Sequence, residues 1–237
     1  SFSESVKGWY SENIMGFASE LKVLSNFITG CPDYDDLRII PFAPGTYSKF
    51  VKSFLINSEW KKTISNKKYH TMTSSSVIFK NPNNDDLLSS INFYSQHIIN
   101  FLDNAVLKRV VGTTERPVAC LLSGGLDSSL ITALVNKYYT GELETYSIGM
   151  KGSDDLKNAK IVAEYLGTKH HEIILTPEEF FEAIPEVIEA IESYDTTTVR
   201  ASVGNYLVSK YISENSDAKV IFNGDGSDEL TGGYLYF

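Results

Sequence analysis

The stretch VACLLSGGLDSSLITALV, residues 118–135, decides the fold. Pro117 ends any preceding helix, and the apolar run 118–122 suits a short strand covered on both faces. Leu130, Ile131, Leu134 and Val135 then recur at helical spacing. Between the two lies Ser-Gly-Gly-Leu-Asp-Ser-Ser, residues 123–129. In open α/β sheets, ligands bind where a loop leaves the carboxyl end of a strand and opens a helix. The helix start offers unpaired N–H groups and partial positive charge, both suited to a phosphate. Gly124 and Gly125 let the backbone approach an anion, and Ser123, Ser128 and Ser129 add hydroxyl donors. Asp127 would repel a bare phosphate, so this acid makes chemical sense with a magnesium ion between it and the phosphate oxygens. The spacing of a Walker loop is absent; the plainer alternative is a strand–helix turn whose glycines serve packing.

Working downstream, ETYSIGM (144–150) reads as a strand, 156–166 as a helix ended by Gly167, and HHEIIL (170–175) as a strand. PEEFFEAIPEVIEAIESY (177–194) sets Phe180, Phe181, Ile184, Val187, Ile188 and Ile191 on one helical face, with a kink or restart at Pro185. Val203, Leu207, Val208, Tyr211 and Ile212 mark another helix, and KVIFNG (219–224) another buried strand. This alternation from residue 117 onward predicts an α/β fold, a parallel twisted sheet with helices on both faces and right-handed crossovers. A second glycine-rich acidic loop, FNGDGSDELTGG (222–233), follows the last strand; Asp225, Asp228 and Glu229 supply oxygens without the spacing of an EF-hand. Two acidic loops at strand ends of one sheet can meet over one ligand. His170 and His171, adjacent on a strand, point to opposite faces and read as structural.

Upstream, Leu87, Leu88, Ile91, Tyr94, Ile98, Leu102, Ala105 and Val106 mark one face of a long helix capped by Asn84 or Asp85. Residues 1–80 form a separate zone of short β-like runs such as LRIIPFAPGTYSKF (37–50), and residues 58–76 read as a solvated connection. The domains expected are therefore 1–80, β-rich with a linker, and 81–237.

With 237 residues, 42% of them hydrophobic, the chain can bury one large core or two small ones. A net charge of −9 argues against a general nucleic-acid binder, which needs clustered Lys and Arg. Cys31 and Cys120 share no metal-ligand or redox spacing, and Cys120 lies in an apolar run and reads as core. No apolar run approaches the roughly 20 residues that span a bilayer, and no signal peptide opens the sequence, so a cytoplasmic location is expected. Both ends read as cut: no Met opens the chain and GGYLYF closes it uncapped, as in a fragment.

SGGLDSS (123–129), YSIGMKGSDDL (146–156), HHEIILT (170–176), YDTTTVRAS (194–202) and NGDGSDELTGGYLYF (223–237) occur in the order found in glutamine-dependent asparagine synthetases, a family that residues 117–237 resemble. GFASELKVL (16–24) and IIPFAPGTY (39–47) look like the closing part of that family's N-terminal glutaminase domain. The resemblance implies an ATP pyrophosphatase fold that activates the side-chain carboxylate of aspartate as an acyl-adenylate, which ammonia from glutamine converts to asparagine. It implies ATP and Mg2+ as cofactors, small-molecule partners, no nucleic acid or membrane, and is compatible with a homodimer. Residues Ser123, Gly124, Gly125, Leu126, Asp127, Ser128 and Ser129 would hold pyrophosphate, and Leu122, Ile148, Gly149, Asn223 and Gly224 would line the adenosine site. Asp127 and Asp228 would hold magnesium, while Thr197, Thr198 and Arg200 would lie near the phosphates and the activated acid.

Two departures matter. Asp225 stands where the family usually has a Glu that helps deprotonate the amine; one methylene shorter, it is read either as a base or as a structural loop acid. Asn223 replaces the usual Ser. Relatives that close a β-lactam also depart at the position of Asp225, which leaves the amine acceptor open, as it leaves open a non-catalytic nucleotide-binding module. The N-terminal Cys nucleophile of the glutaminase is absent, Ser1 reads as a chain boundary, and the downstream Lys of the family lies past Phe237. Alone, the fragment is expected to turn over poorly.

Overall fold

A computed structural model describes residues 7–10, 15–28, 39–52, 60–69, 87–113 and 115–234. The chain divides into two compact units, Ser1–Ile78 and Phe79–Phe237. In the first, β1 (Lys7–Tyr10) pairs antiparallel with both β2 (Met15–Ala18) and β3 (Ile39–Pro41). Helix α1 (Leu21–Ile28) buries Leu24 against Ala18 and Ile39. A hairpin of β4 (Thr46–Lys52) and β5 (Trp60–Lys68) completes the unit. Residues 60–68 are thus a strand and not the solvated connection that their lysines and serines imply. Trp60 and Ile64 supply the half-buried positions, and ladder bonds to β4 outweigh the polar composition.

The second unit runs α2 (Leu87–Val111), β6 (Val118–Leu121), α3 (Leu126–Tyr138), β7 (Glu144–Met150), α4 (Asp154–Leu166), β8 (Lys169–Leu175), α5 (Pro177–Glu182), α6 (Ile184–Ile191), α7 (Thr196–Asn215), β9 (Val220–Phe222) and α8 (Ser227–Thr231). The four strands are parallel in the order β8-β7-β6-β9. On one face, Val118 and Cys120 pack with Val106 and Val110 of α2 and Val135 of α3. On the other, Ala119, Tyr146 and Ile173 pack with Val208 and Ile212 of α7. Helices therefore cover both faces of a parallel sheet, as the alternating pattern predicts.

Several boundaries have identifiable causes. Gly167 ends α4 in the left-handed conformation at φ +69°. Thr176 and Glu179 form a reciprocal capping box on α5, and Pro185 falls in the first turn of α6, the predicted restart. Side chains at adjacent positions of β8 diverge as expected: His170 bonds Thr145 Oγ1 (2.9 Å) and Ser147 Oγ (3.2 Å), whereas His171 stacks on Tyr146 at 4.7 Å. Both histidines are structural in this setting, and burial lowers the pKa of His170.

Four expectations are corrected. The strand at 220–222 pairs only with β6 among the described residues, so it is an edge with Ile221 exposed and not a buried strand. An apolar triplet reads alike in the middle and at the edge of a sheet. Along α2, Leu102, Val106 and Val110 reach the core while Leu88, Ile91, Tyr94 and Ile98 are exposed. At about 1.5 Å per residue this helix spans far more than the four-residue strand β6. Leu130 is exposed, with Thr132 buried in α3 instead, and Phe181 is exposed on α5. Asn84, Asp85, Ser1 and Cys31 lie outside the described residues. No helix among those described is long and apolar enough to cross a membrane.

Candidate active site

From β6 the chain steps outward through β7 to β8 and then returns to β9 on the far side of β6. The loops leaving β6 and β9 consequently part at a topological switch point, the place where open sheets form a crevice. A cleft of about 430 Å³ opens there. Ser123, Asp127 and Ser128 line it from the first loop, and Asn223, Gly224, Asp225 and Asp228 from the second. The two loops touch through backbone: a Cβ on Gly224 would sit 2.8 Å from Ser128 N and 2.9 Å from the Asp127 carbonyl carbon. Only glycine permits that approach.

The first loop is held by its own donors. Ser123 Oγ lies 2.9 Å from Ser128 Oγ and accepts the Gly125 N–H at 3.3 Å. Gly124 adopts φ +80°, and a Cβ there would collide with the backbone of Asn158 and Ala159 in α4, so this glycine allows both the turn and the helix packing. The N-cap of α3 is Gly125, which has no side chain to cover the first N–H groups of the helix. Ser129 Oγ is buried without a hydrogen-bond partner. Ser123, Ser128 and the open start of α3 form a cradle of donors at the cleft, whereas Ser129 lies outside its lining.

The second loop carries the acids. Asn223 Nδ2 donates to Asp225 Oδ2 at 2.9 Å, and Ser227 Oγ donates to the Gly224 carbonyl at 2.8 Å. Tyr234 donates its hydroxyl to Glu229 Oε1 at 2.8 Å and thereby holds that carboxyl below its ordinary range. Asp127, Asp225, Asp228 and Glu229 line the cleft, and none of the described residues that line it is Lys or Arg. A bare polyanion would meet like charge here. Among the described residues no three His, Cys, Asp or Glu side chains converge on a metal position. Asp127 and Asp228 both line the cleft, from one loop each; magnesium in its substrate-bound form takes one or two carboxylates and completes its shell with phosphate and water.

The other anticipated residues fall nearby or elsewhere. Leu122 turns its side chain into the core against Ala159 and Ala163, and its N–H bonds the Tyr146 carbonyl at 2.8 Å. Ile148 packs toward α7, Gly149 lies near the carboxyl end of β7 against Ser153 Oγ, and Leu126 is exposed. Thr197 is exposed in the first turn of α7. Thr198 gives both its N–H and its hydroxyl, each at 2.8 Å, to Asp195 Oδ1, the cap of that helix. These bonds hold the Asp195 carboxyl below its usual range. Arg200 lines not the cleft but a separate apolar groove of about 510 Å³, with Phe180 and Ile188.

Five lining residues escaped the sequence reading as site residues: Leu121, Ala201, Asn205, Ser227 and Tyr234. Thr197, Ala201 and Asn205 are spaced by four, a stripe of small and polar residues beside the buried Val199 and Val203. Of that stripe Ala201 and Asn205 line the cleft, and spacing alone does not single this face out.

Fold and cleft together define a doubly wound parallel α/β protein with a polar, acid-bearing crevice at its switch point. The chain belongs to the asparagine synthase family, whose model matches residues 97–237. It is 54% identical over 140 residues to the glutamine-hydrolyzing asparagine synthetase of Mus musculus, covering 57% of this chain and 25% of that protein. The Gallus gallus enzyme of the same description is 39% identical over 234 residues, covering 95% and 40% respectively. The chain thus spans between a quarter and two fifths of these relatives' length. A solved NH3-dependent NAD synthetase from Campylobacter jejuni superposes with TM-score 0.43 and 18% identity over 59% of this chain and 60% of that one.

Proposed function

We propose that this chain forms the nucleotide-binding part of an ATP-dependent, amide-forming ligase that adenylates aspartate and transfers ammonia derived from glutamine to give asparagine. The observation that carries the proposal is the backbone contact between Gly224 and the first turn of α3, which puts a donor cradle and an acidic loop on one cleft. In this reading the hydroxyls of Ser123 and Ser128 and the free N–H groups of α3 bind the pyrophosphate end of ATP, and the reading requires Ser129 to turn its buried hydroxyl toward the cleft. Leu122, Ile148, Gly149, Asn223 and Gly224 are assigned to the adenosine, Leu122 through its backbone alone because its side chain lies in the core. Asp127 and Asp228 would hold Mg2+, which when bound neutralises charge on the departing pyrophosphate.

The aspartate carboxylate attacks the α-phosphorus as pyrophosphate leaves; ammonia then attacks the activated carbonyl, Asp225 takes a proton from the attacking nitrogen, and AMP leaves. Thr197 and Thr198 stand where α7 begins, and Thr198 orders that turn through Asp195. Arg200 is assigned to gripping the acid, as a guanidinium suits a carboxylate with two parallel bonds. The reading requires it to leave the apolar groove for the face of α7 that carries Ala201 and Asn205. The bond from Asn223 to Asp225 supports a second reading of that acid as a loop tie. The amine acceptor would then be something other than ammonia, as in β-lactam-forming relatives.

Exchange of labelled pyrophosphate into ATP, measured on the full-length protein, tests the proposal. Exchange that depends on aspartate supports it. Exchange with other acids alone makes aspartate the wrong substrate, and Mg-ATP binding without exchange from any acid leaves a non-catalytic module.

A further inference from the structure

The cleft is not uniform in chemistry. Its hydroxyls and acids come from the loops after β6 and β9, whereas the wall supplied by β6 and α7 consists of Leu121, Ala201 and Asn205. Leu121 packs, with Ile148, against the apolar cluster that holds Tyr146 and Val208. Helix α7 runs opposite to the strands, because its C-cap Ser216 bonds Glu144 at the start of β7. Asn205 therefore lies about 12 Å down the helix from Thr197, toward the floor of the cleft and away from the end at which α7 begins. The preceding residue, Gly204, faces β7: a Cβ there would lie 3.9 Å from Ile148 Cγ2. Asn205 thus shares the cleft with Asn223 and Gly224 and adjoins the residue that faces Ile148, three of the positions assigned to adenosine.

The neighbouring polar groups have their own partners. Asn223 donates to Asp225, Ser227 to the Gly224 carbonyl and Tyr234 to Glu229, and Ser123 and Ser128 bond each other. Ser209 Oγ donates to the backbone carbonyl of Asn205 at 2.6 Å, a bond that does not involve the side chain. Among the described residues none bonds the Asn205 carboxamide, which is exposed to the cleft. A carboxamide presents a donor and an acceptor side by side. Phosphates offer acceptors only, and an amino-acid ammonium finds stronger acceptors in the carboxylates of the second loop. Adenine carries the matching edge, a 6-amino donor next to a ring-nitrogen acceptor, and asparagine pairs with it through two bonds.

Resting on the ATP reading of this cleft, we infer that Asn205 is a specificity-determining residue that reads the nucleotide base. Its carboxamide oxygen accepts from the 6-amino group of adenine and its NH2 donates to the adjoining ring nitrogen, with Leu121 and Ala201 against the purine.

Calorimetry on the full-length protein, comparing Mg-ATP with the magnesium complex of purine riboside triphosphate, tests this. The second nucleotide lacks only the 6-amino group. The parent should bind ATP about tenfold more tightly, since the analogue leaves the carboxamide oxygen unpaired. In Asn205→Leu and Asn205→Ala the two nucleotides should bind within about twofold of each other, the loss falling on ATP. Neither substitution removes a side-chain bond to a described residue, and Leu and Ala favour helix more than Asn does; circular dichroism verifies the folding. The inference fails if the parent does not separate the two nucleotides or if both variants keep the tenfold difference. It also fails if the variants leave nucleotide affinity unchanged and raise the aspartate concentration needed for half-maximal pyrophosphate exchange, which would turn Asn205 toward the acid. Each of these results leaves the ATP reading standing, whereas a parent that binds no Mg-ATP removes that reading and the inference with it.

Discussion

Gly224 is the position at which one atom separates a working cleft from a split one. Gly224→Ala should force the second loop away from Ser128 and weaken Mg-ATP binding on the order of tenfold, about 1.4 kcal/mol, by calorimetry. A stability change without an affinity change would show that the contact serves folding alone. Asp127→Asn should weaken Mg-ATP binding by about tenfold or more, since the amide lacks the charge a magnesium ion requires. Asp154→Asn provides the comparison: its partner is Lys157 at 3.0 Å on the surface, where such pairs contribute little, and binding should hardly change. Equal effects of the two substitutions would count against the metal assignment. At this scale the sequence is most readable where glycine, hydroxyl and acid crowd together, as in 123–129 and 223–229. It is least readable at Asn205 and Arg200. Their places depend on how α7 is rotated about its axis, which no local motif encodes.

Among elements, Glu144 ties the amino-terminal ends of β7 and β8 to the C-cap of α7. Glu144 accepts from Tyr146 OH at 2.8 Å, Ser216 Oγ at 2.6 Å and Lys169 Nζ at 2.8 Å. Burial by itself would raise its pKa, but the bonds from Lys169, Ser216 and Tyr146 prevail and bring it down to about 2. A carboxyl depressed in the folded state stabilises fully above its unfolded pKa, and that stability fades as pH falls toward the folded value. Glu144→Gln should therefore cost about 2 kcal/mol near pH 7 in urea unfolding. The gap between variant and parent should close from about pH 4.5 down to 2. A gap independent of pH would mean that packing, not charge, makes the link. The strand–helix alternation from residue 118 onward was legible because apolar runs, glycine stops and Pro185 punctuate it. The hairpin strand β5 was not, since its ladder partner lies elsewhere in the chain and its own residues are those of a loop. The edge place of β9 likewise follows from sheet order, which the residues of that strand do not carry.

For the molecule as a whole, Mg-ATP that binds only the folded second unit must stabilise it. At a hundred times Kd the gain is about 2.7 kcal/mol, which a thermal melt would show as a raised transition with magnesium and a smaller one with EDTA. Two units also mean that this rise belongs to one transition; the first unit should melt unchanged. Membership of the asparagine synthase family agrees with a fold that alternating periodicity already implied, while the first unit has two small antiparallel sheets and the second a larger parallel sheet. Cys120 sits at the centre of the larger one, fully inaccessible, its thiol pushed by burial up to about 12. An alkylating reagent can modify that sulfur only in the rare moments when neighbouring helices part from β6. Mass-spectrometric tracking of the peptide carrying it would convert a silent atom into a clock for how often the innermost strand breathes, and Mg-ATP should make that clock run slower.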